Sequence, residues 1–297
     1  MFNNLNFAIF KQTIKEYFKK IFLKFIAKRF TPSILTPQSS ILHLICLSVF
    51  LLLTACATQD GPPDYYVDAS NIPNAVPKVL PRSPYGNPSS YEVNGQWYHL
   101  RNSCYGYHER GIASWYGTKF NGERTSDGER YDMLGMTAAS KVLPIPCFVR
   151  VTNLENGKTI IVKVNDRGPF APNRIIDLSY AAAKKIGMTA KGTALVQVTS
   201  IDPRTYHAAN SLSPVPMIKH PELYLQIGAF RDEQNAERLE NNLKQFTSRS
   251  VLIEKGWSNG LPIYRVQVGP LKSVDETDYL KNLFESEKLG EAVTVIR

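Results

Sequence analysis

The run from Gly111 to Met188 constrains this chain most. It is a series of short apolar alternations broken by turns containing glycine, asparagine and proline, with one short helical pattern near its end. Ile112 to Tyr116 reads as a strand ending at Gly117. Cys147 to Thr152 alternates and meets Glu155-Asn156-Gly157, where Asn-Gly tolerates positive φ, and the chain returns as Thr159–Val164. On the return strand Ile160, Val162 and Val164 share a face, and a continued period of two places Asp166 on that side. Ser179 caps a short helix, Tyr180 to Ile186, closed by Gly187. Many short strands with one small helix predict a compact β-barrel rather than a sandwich or a parallel sheet.

The flanking segments read as devices that place this barrel. Of the formal charge of +9, residues 1–55 carry seven Lys or Arg against one Glu, so the remainder holds only +3. The basicity belongs mainly to a leader and argues little for nucleic acid. Within that leader the apolar run Ile41 to Leu53 is short for a bilayer span and suited to a signal peptide. It ends in Leu53-Thr54-Ala55-Cys56, which resembles a bacterial lipobox with Cys56 as the lipidated residue. An uncleaved anchor with an incidental cysteine is the alternative. Ala57 to Ser90 contains seven prolines among Gly, Asn, Ser and Asp. That composition predicts an extended tether reaching on the order of 100 Å. A short hairpin around Asn94-Gly95 follows. Cys104 and Cys147 are left as one pair, either joined in an oxidising compartment or buried as free thiols. His99, His108, His207 and His220 stand at no metal-ligand spacing, so neither metal nor cofactor is expected.

Residues 203–221 read as a second linker, and 222–297 contain an internal repeat. Tyr224-Leu225-Gln226-Ile227-Gly228-Ala229-Phe230 precedes a helix with Ala236, Leu239, Leu243 and Phe246 on one face. Ile263 to Pro270 precedes another, with Leu280, Leu283 and Phe284 inward and Ser273 and Glu276 as its capping box. Two βαβ units predict a ferredoxin-like βαββαβ sheet with both helices on one face. Alternation leaves Tyr224, Gln226, Arg265 and Gln267 on the other face. They suit a neutral sugar strand, or equally the solvated side of a half-buried sheet. The aromatic-rich signature of an RNA-binding sheet is missing.

The segments GIASWYG, YDMLGMTAASKVLPIPCFVRVTN and VNDRGPF…RIIDLSYAAAKKIG resemble the double-psi β-barrel of the rare lipoprotein A family. LYLQIGAF…YRVQVGPL resembles a sporulation-related repeat (SPOR) domain. The resemblance covers the chain from about Cys56 to its end. It implies a signal peptide over 1–55, a lipidated tether over 56–90, a double-psi barrel with its leading hairpin over 91–202, a linker over 203–221 and a SPOR domain over 222–297. It also implies a lipoprotein on the periplasmic face of the outer membrane, enriched at the division septum. Such a protein binds peptidoglycan glycan strands stripped of stem peptides, and some members are lytic transglycosylases that cut them.

That reaction closes the muramyl 6-hydroxyl onto C1 and leaves a 1,6-anhydro end. One carboxyl group can protonate the leaving oxygen and then accept the hydroxyl proton, provided burial raises its pKa. The family's active carboxylates fall on Asp166 and Glu129. From the residues alone Asp166 also reads as a turn cap paired with Arg167, and Glu129 as a solvated loop charge. Asp132 and Asp177 read as structural. Tyr116 is a candidate for stacking on sugar, and Trp115 for that or for core packing. Ser140 stands where the family commonly has histidine, and a serine cannot titrate near neutrality. This departure sets a catalytically inactive glycan-binding lipoprotein beside the enzyme as the alternative function.

Overall fold

The structure, a computed structural model, describes residues 60–207 and 221–297. The leader, Cys56 and most of the second linker fall outside the described residues.

Two short strands, β1 (Ser90–Val93) and β2 (Gln96–His99), form the leading hairpin. Its turn holds Asn94 at φ 52° and Gly95 at φ 80°, the backbone that an Asn-Gly pair accepts most readily. Six strands then close a barrel: β3 (His108–Tyr116), β4 (Thr137–Ala139), β5 (Cys147–Asn153), β6 (Thr159–Asp166), β7 (Arg174–Ser179) and β8 (Ala194–Ser200), in the order β3-β7-β4-β6-β5-β8. The pairs β3·β7 and β4·β6 are parallel and the others antiparallel. Helix α1 (Tyr180–Lys185) starts where the Ser179 hydroxyl accepts the Ala182 N–H and donates to the Gly135 carbonyl. The interior is filled by Ala113, Ala138, Val149, Val151, Ile160, Val162, Val164, Ile176, Leu178, Val196 and Val198, all essentially inaccessible. Each of the larger aliphatic side chains contributes about 1.5–3 kcal/mol on full burial. Cys104 and Cys147 are joined as a disulfide, pinning the segment before β3 to the start of β5.

Residues 60–90 depart from the expected free tether. Val67 and Ala69 are buried, the Ala75 N–H donates to Ile161 O at 3.0 Å, and the Ser83 N–H donates to Ile145 O at 3.1 Å. Proline and glycine keep the segment extended, as predicted, but two small apolar residues and its backbone polar groups find partners on the barrel. It is a strap laid along the barrel wall.

The C-terminal domain contains β9 (Leu223–Phe230), α2 (Glu233–Leu243), β10 (Val251–Ser258), β11 (Leu261–Leu271), α3 (Val274–Ser286) and β12 (Val293–Ile296), with sheet order β10-β11-β9-β12. This is the βαββαβ arrangement, with Ala236, Leu243, Leu280 and Phe284 buried beneath the helices. Half of the expected capping box forms: Ser273 Oγ accepts the Glu276 N–H at 3.1 Å, but the Glu276 carboxylate accepts the N–H of Lys272, at 2.7 Å, instead of that of Ser273. Ile112, Leu154 and Leu195 of the barrel bury themselves in the same cluster as Leu223, Leu225 and Ile296. Beside them Arg174 makes a two-pronged ion pair with Asp278 of α3, at 2.7 and 3.0 Å, which Asn173 reinforces at 2.8 Å.

The sheet face opposite the helices differs from the open polar patch expected. Gln267 is 1% exposed, donating to Gln226 and Glu254 and accepting from Arg297. Arg297 also pairs with Glu254 at 2.7 Å and lies 4.7 Å above the Tyr224 ring, so Tyr224 is buried too. Alternation gives the facing of these residues correctly. It does not anticipate that Arg297 and Glu254 fold across them. Gln226 and Arg265 keep partial exposure.

Candidate active site

The site gathers at the end of the barrel where β3, β6 and β7 finish. Along the parallel pair β4·β6, Ala138 faces Val164 but Ala139 faces Asp166, a register shift of one residue. The shift takes Asp166 out of the face of Ile160, Val162 and Val164, on which strict alternation had placed it, and sets it beside Ala139. Asp166 Oδ1 accepts three hydrogen bonds, from Ser126 N (2.8 Å), Ser126 Oγ (2.6 Å) and its neighbour Arg167 N (2.8 Å). Arg167 does not spend its guanidinium on this carboxylate. It donates to the carbonyls of Gly86 (2.8 Å), Ser140 (2.9 Å) and Leu143 (2.6 Å), tying the loop after β6 to its surroundings.

Ala139 has a second partner. On its antiparallel side it faces Asp177 of β7, so Asp166 and Asp177 flank one alanine from two strands. Ordinary interstrand spacing puts their Cα atoms roughly 10 Å apart. Asp177 retains some surface, yet its Oδ1 is sealed and, among the described residues, has no hydrogen-bond partner. Burial pushes this carboxyl up to about 7; a hydrogen bond from Ser114 opposes the rise, Asp60 adds to it, Arg174 opposes it and Asp166 adds to it. Asp177 is the residue that pattern reasoning set aside as structural. The available signal was an acid alternating with Ile176 and Leu178 on a core strand, which must emerge on the outer face.

The other expected site residues are placed as follows. Glu129 sits half-exposed, its carboxylate held by Lys163 and by Asn165 Nδ2 at 3.0 Å. Partial burial raises its pKa, but the hydrogen bonds from Lys163 and Asn165 outweigh that and hold it below the usual value. It is therefore a poor proton donor at neutral pH. Ser140, expected in the histidine's place, does not present its hydroxyl to substrate: it is 1% exposed, and Oγ accepts the N–H groups of Val142 (3.4 Å) and Leu143 (3.2 Å). Tyr116 is not an open stacking platform either. It is 7% exposed, its ring lies 4.2 Å from that of Tyr131, and among the described residues its hydroxyl makes no hydrogen bond of ordinary geometry. Burial above all, with Tyr131 and both aspartates nearby, raises that phenol well above its ordinary value. Trp115 packs edge-on against Tyr180 at 5.5 Å. A hollow lined by Tyr105, Tyr107, His108, Ser200 and Asp202 lies at the start of β3, roughly 27 Å along the strand from Tyr116. Its one carboxylate, Asp202, is engaged by Arg204, so it assembles no acid pair.

Comparison with known proteins identifies both domains. Residues 108–198 match the family model described as lytic transglycolase, and residues 220–296 match that of the SPOR domain. The endolytic peptidoglycan transglycosylase RlpA of Pseudomonas aeruginosa is 38% identical over 290 residues, covering 80% of this chain and 84% of that protein. Its Vibrio cholerae counterpart is 39% identical over 246 residues, covering 79% and 89%. The solved RlpA SPOR domain from Pseudomonas aeruginosa is 34% identical across 25% of this chain and 96% of that one, with a TM-score of 0.24. A six-stranded closed barrel followed by a SPOR domain, at this level of identity over most of both chains, places the protein in the family of the endolytic peptidoglycan transglycosylases RlpA.

Proposed function

We propose that this chain is a lytic transglycosylase that cleaves peptidoglycan glycan strands lacking stem peptides, leaving 1,6-anhydromuramic acid ends. The supporting observation is the pair of carboxyl groups around Ala139, one of which holds its proton up to about pH 7. Asp177 donates that proton to the glycosidic oxygen as the C1–O4 bond breaks. The muramyl 6-hydroxyl oxygen bonds to C1, and its proton passes to a carboxylate. Asp166, fixed through Oδ1 by three donors, is the acceptor and faces the positive charge developing at C1. Water is not consumed, because the nucleophile belongs to the substrate. Glu129, kept charged by Lys163, stabilises the same charge from farther out. The SPOR domain holds the strand, with Gln226 and Arg265 as the accessible members of its polar face. The lipobox ending at Cys56 supports attachment to the periplasmic face of the outer membrane, with enrichment at the septum.

The test incubates the mature chain carrying Cys56→Ser with stem-peptide-free glycan and reads 1,6-anhydro ends by mass spectrometry. Wild type should form them, and Asp166→Asn and Asp177→Asn should each lose on the order of 100-fold or more in rate. One observation favours a catalytically silent glycan-binding lipoprotein: Ser140 brings no titratable group, and its hydroxyl is committed to backbone. Absence of anhydro ends from wild type, with glycan binding intact, would select that second reading.

A further inference from the structure

The strap begins on the carboxylate site itself. Asp60 Oδ1 accepts the N–H groups of Gly117 and Lys119, both at 3.2 Å, just beyond the end of β3. The next carbonyl, Gly61 O, accepts from Thr118 N (3.1 Å) and Thr118 Oγ1 (3.3 Å). The approach is so close that a Cβ on Gly117 would stand 2.1 Å from Gly61 O, so only glycine fits beneath the strap here. Six residues further on, Val67 is 6% exposed while Tyr65, Tyr66 and Asp68 around it are open to solvent. Val67 shares a cluster with Tyr116, Tyr131, Tyr180 and Ala139. Ala139 is the residue that Asp166 and Asp177 flank. The strap continues to Ile72, whose carbonyl takes the Lys185 ammonium.

We propose that residues 60–72 are a built-in occupant of the glycan groove, and that the strap must leave before a strand reaches the two aspartates. This rests on the proposed transglycosylase reading. An extended chain that lays an aliphatic patch on aromatic rings and presents oxygen acceptors to backbone N–H groups offers the same contacts as a sugar strand. It also explains why Tyr116, at the centre of the site, is closed and why, among the described residues, its hydroxyl and Asp177 Oδ1 make no hydrogen bond of ordinary geometry: the occupant supplies apolar cover where a glycan supplies hydroxyl groups. Only Val67 and Ala69 are buried between residues 60 and 72, and the other contacts of the segment are hydrogen bonds and ring contacts near the surface, so a strand of several sugars can displace it. Apparent substrate affinity is then reduced by the fraction of molecules with the strap docked.

Asp60→Ala and Val67→Asp, separately and combined in the mature chain, test this. Amide exchange at Gly117, Thr118 and Lys119 reports strap release, and the rate of anhydro-end formation reports access. Release should accelerate exchange at those amides and raise kcat/KM by about tenfold or more. A synthetic peptide of residues 60–75 should reverse both effects. Asp60 is exposed, so its variant keeps the fold even where Val67→Asp lowers the melting temperature. Faster exchange with an unchanged or lower cleavage rate would overturn the strap proposal and leave the enzyme reading standing. If no form of the chain cleaves glycan, both fall.

Discussion

Replacing Asp177 by asparagine separates a buried proton-carrying carboxyl from a structural one. Burial raises this group from its ordinary value of 3.8 to about 7. Between those values the folded protein binds a proton that the unfolded chain has released, so stability declines as pH climbs from about 4 to about 7 and is fully retained below that window. Three pKa units correspond to about 4 kcal/mol, an upper figure because part of the side chain keeps surface. Asparagine fills the same volume and does not titrate. The variant is therefore expected to gain on wild type as pH rises, by up to about 4 kcal/mol between pH 4 and pH 8, or roughly 10 °C in Tm for a protein of this size. Urea unfolding at half-unit pH steps, followed by far-UV circular dichroism, gives the difference directly. A constant offset between the two proteins across that range would refute the reasoning, because it would mean that Asp177 titrates alike folded and unfolded. A more stable variant that has lost cleavage is the exchange of stability for function expected where burial tunes a carboxyl for proton transfer.

Other expectations follow from the same contacts. Ser140→Ala should lower stability by about 1–2 kcal/mol, since Oγ satisfies the buried Leu143 N–H and the partly buried Val142 N–H, and leave kcat near wild type; a large loss of kcat with unchanged melting would restore Ser140 to the reaction. Reducing the Cys104–Cys147 disulfide, which spans 43 residues, should cost about 3–4 kcal/mol in urea unfolding, and an equal midpoint before and after reduction would count against it. Asp278→Asn leaves Arg174 without its carboxylate and should cost about 2–3 kcal/mol, splitting the calorimetric transition as the C-terminal domain melts apart from the barrel; one unshifted transition would show that the ion pair is not what couples them.

What the sequence made legible is what neighbours along the chain decide. Asn94-Gly95 sits in a hairpin turn, Ser179 caps α1, Ser273 caps α3, and the repeat around β9 and β11 folds into two βαβ units. In each case the deciding residues lie within a few positions of one another. The closed barrel was legible in kind, since alternating apolar stretches joined by tight turns have few ways to bury both faces.

The functional end of the barrel was harder because contacts between distant residues decide it. Period two placed Asp166 with Val164, and a single register shift against β4 moved it beside Ala139. The same alanine brings Asp177 into the site from a strand that follows β4 by more than thirty residues, and no local pattern announces that pairing. The strap is the extreme case. Its prolines and polar residues carry the composition of a solvated linker, and that composition does keep it extended. Yet Asp60, Gly61 and Val67 find Gly117, Thr118 and the Tyr116 cluster some fifty residues downstream. The glycine ending the GIASWYG segment is where the two descriptions meet: in sequence it terminates a strand, and in space it leaves room for another piece of chain to cross the mouth of the site.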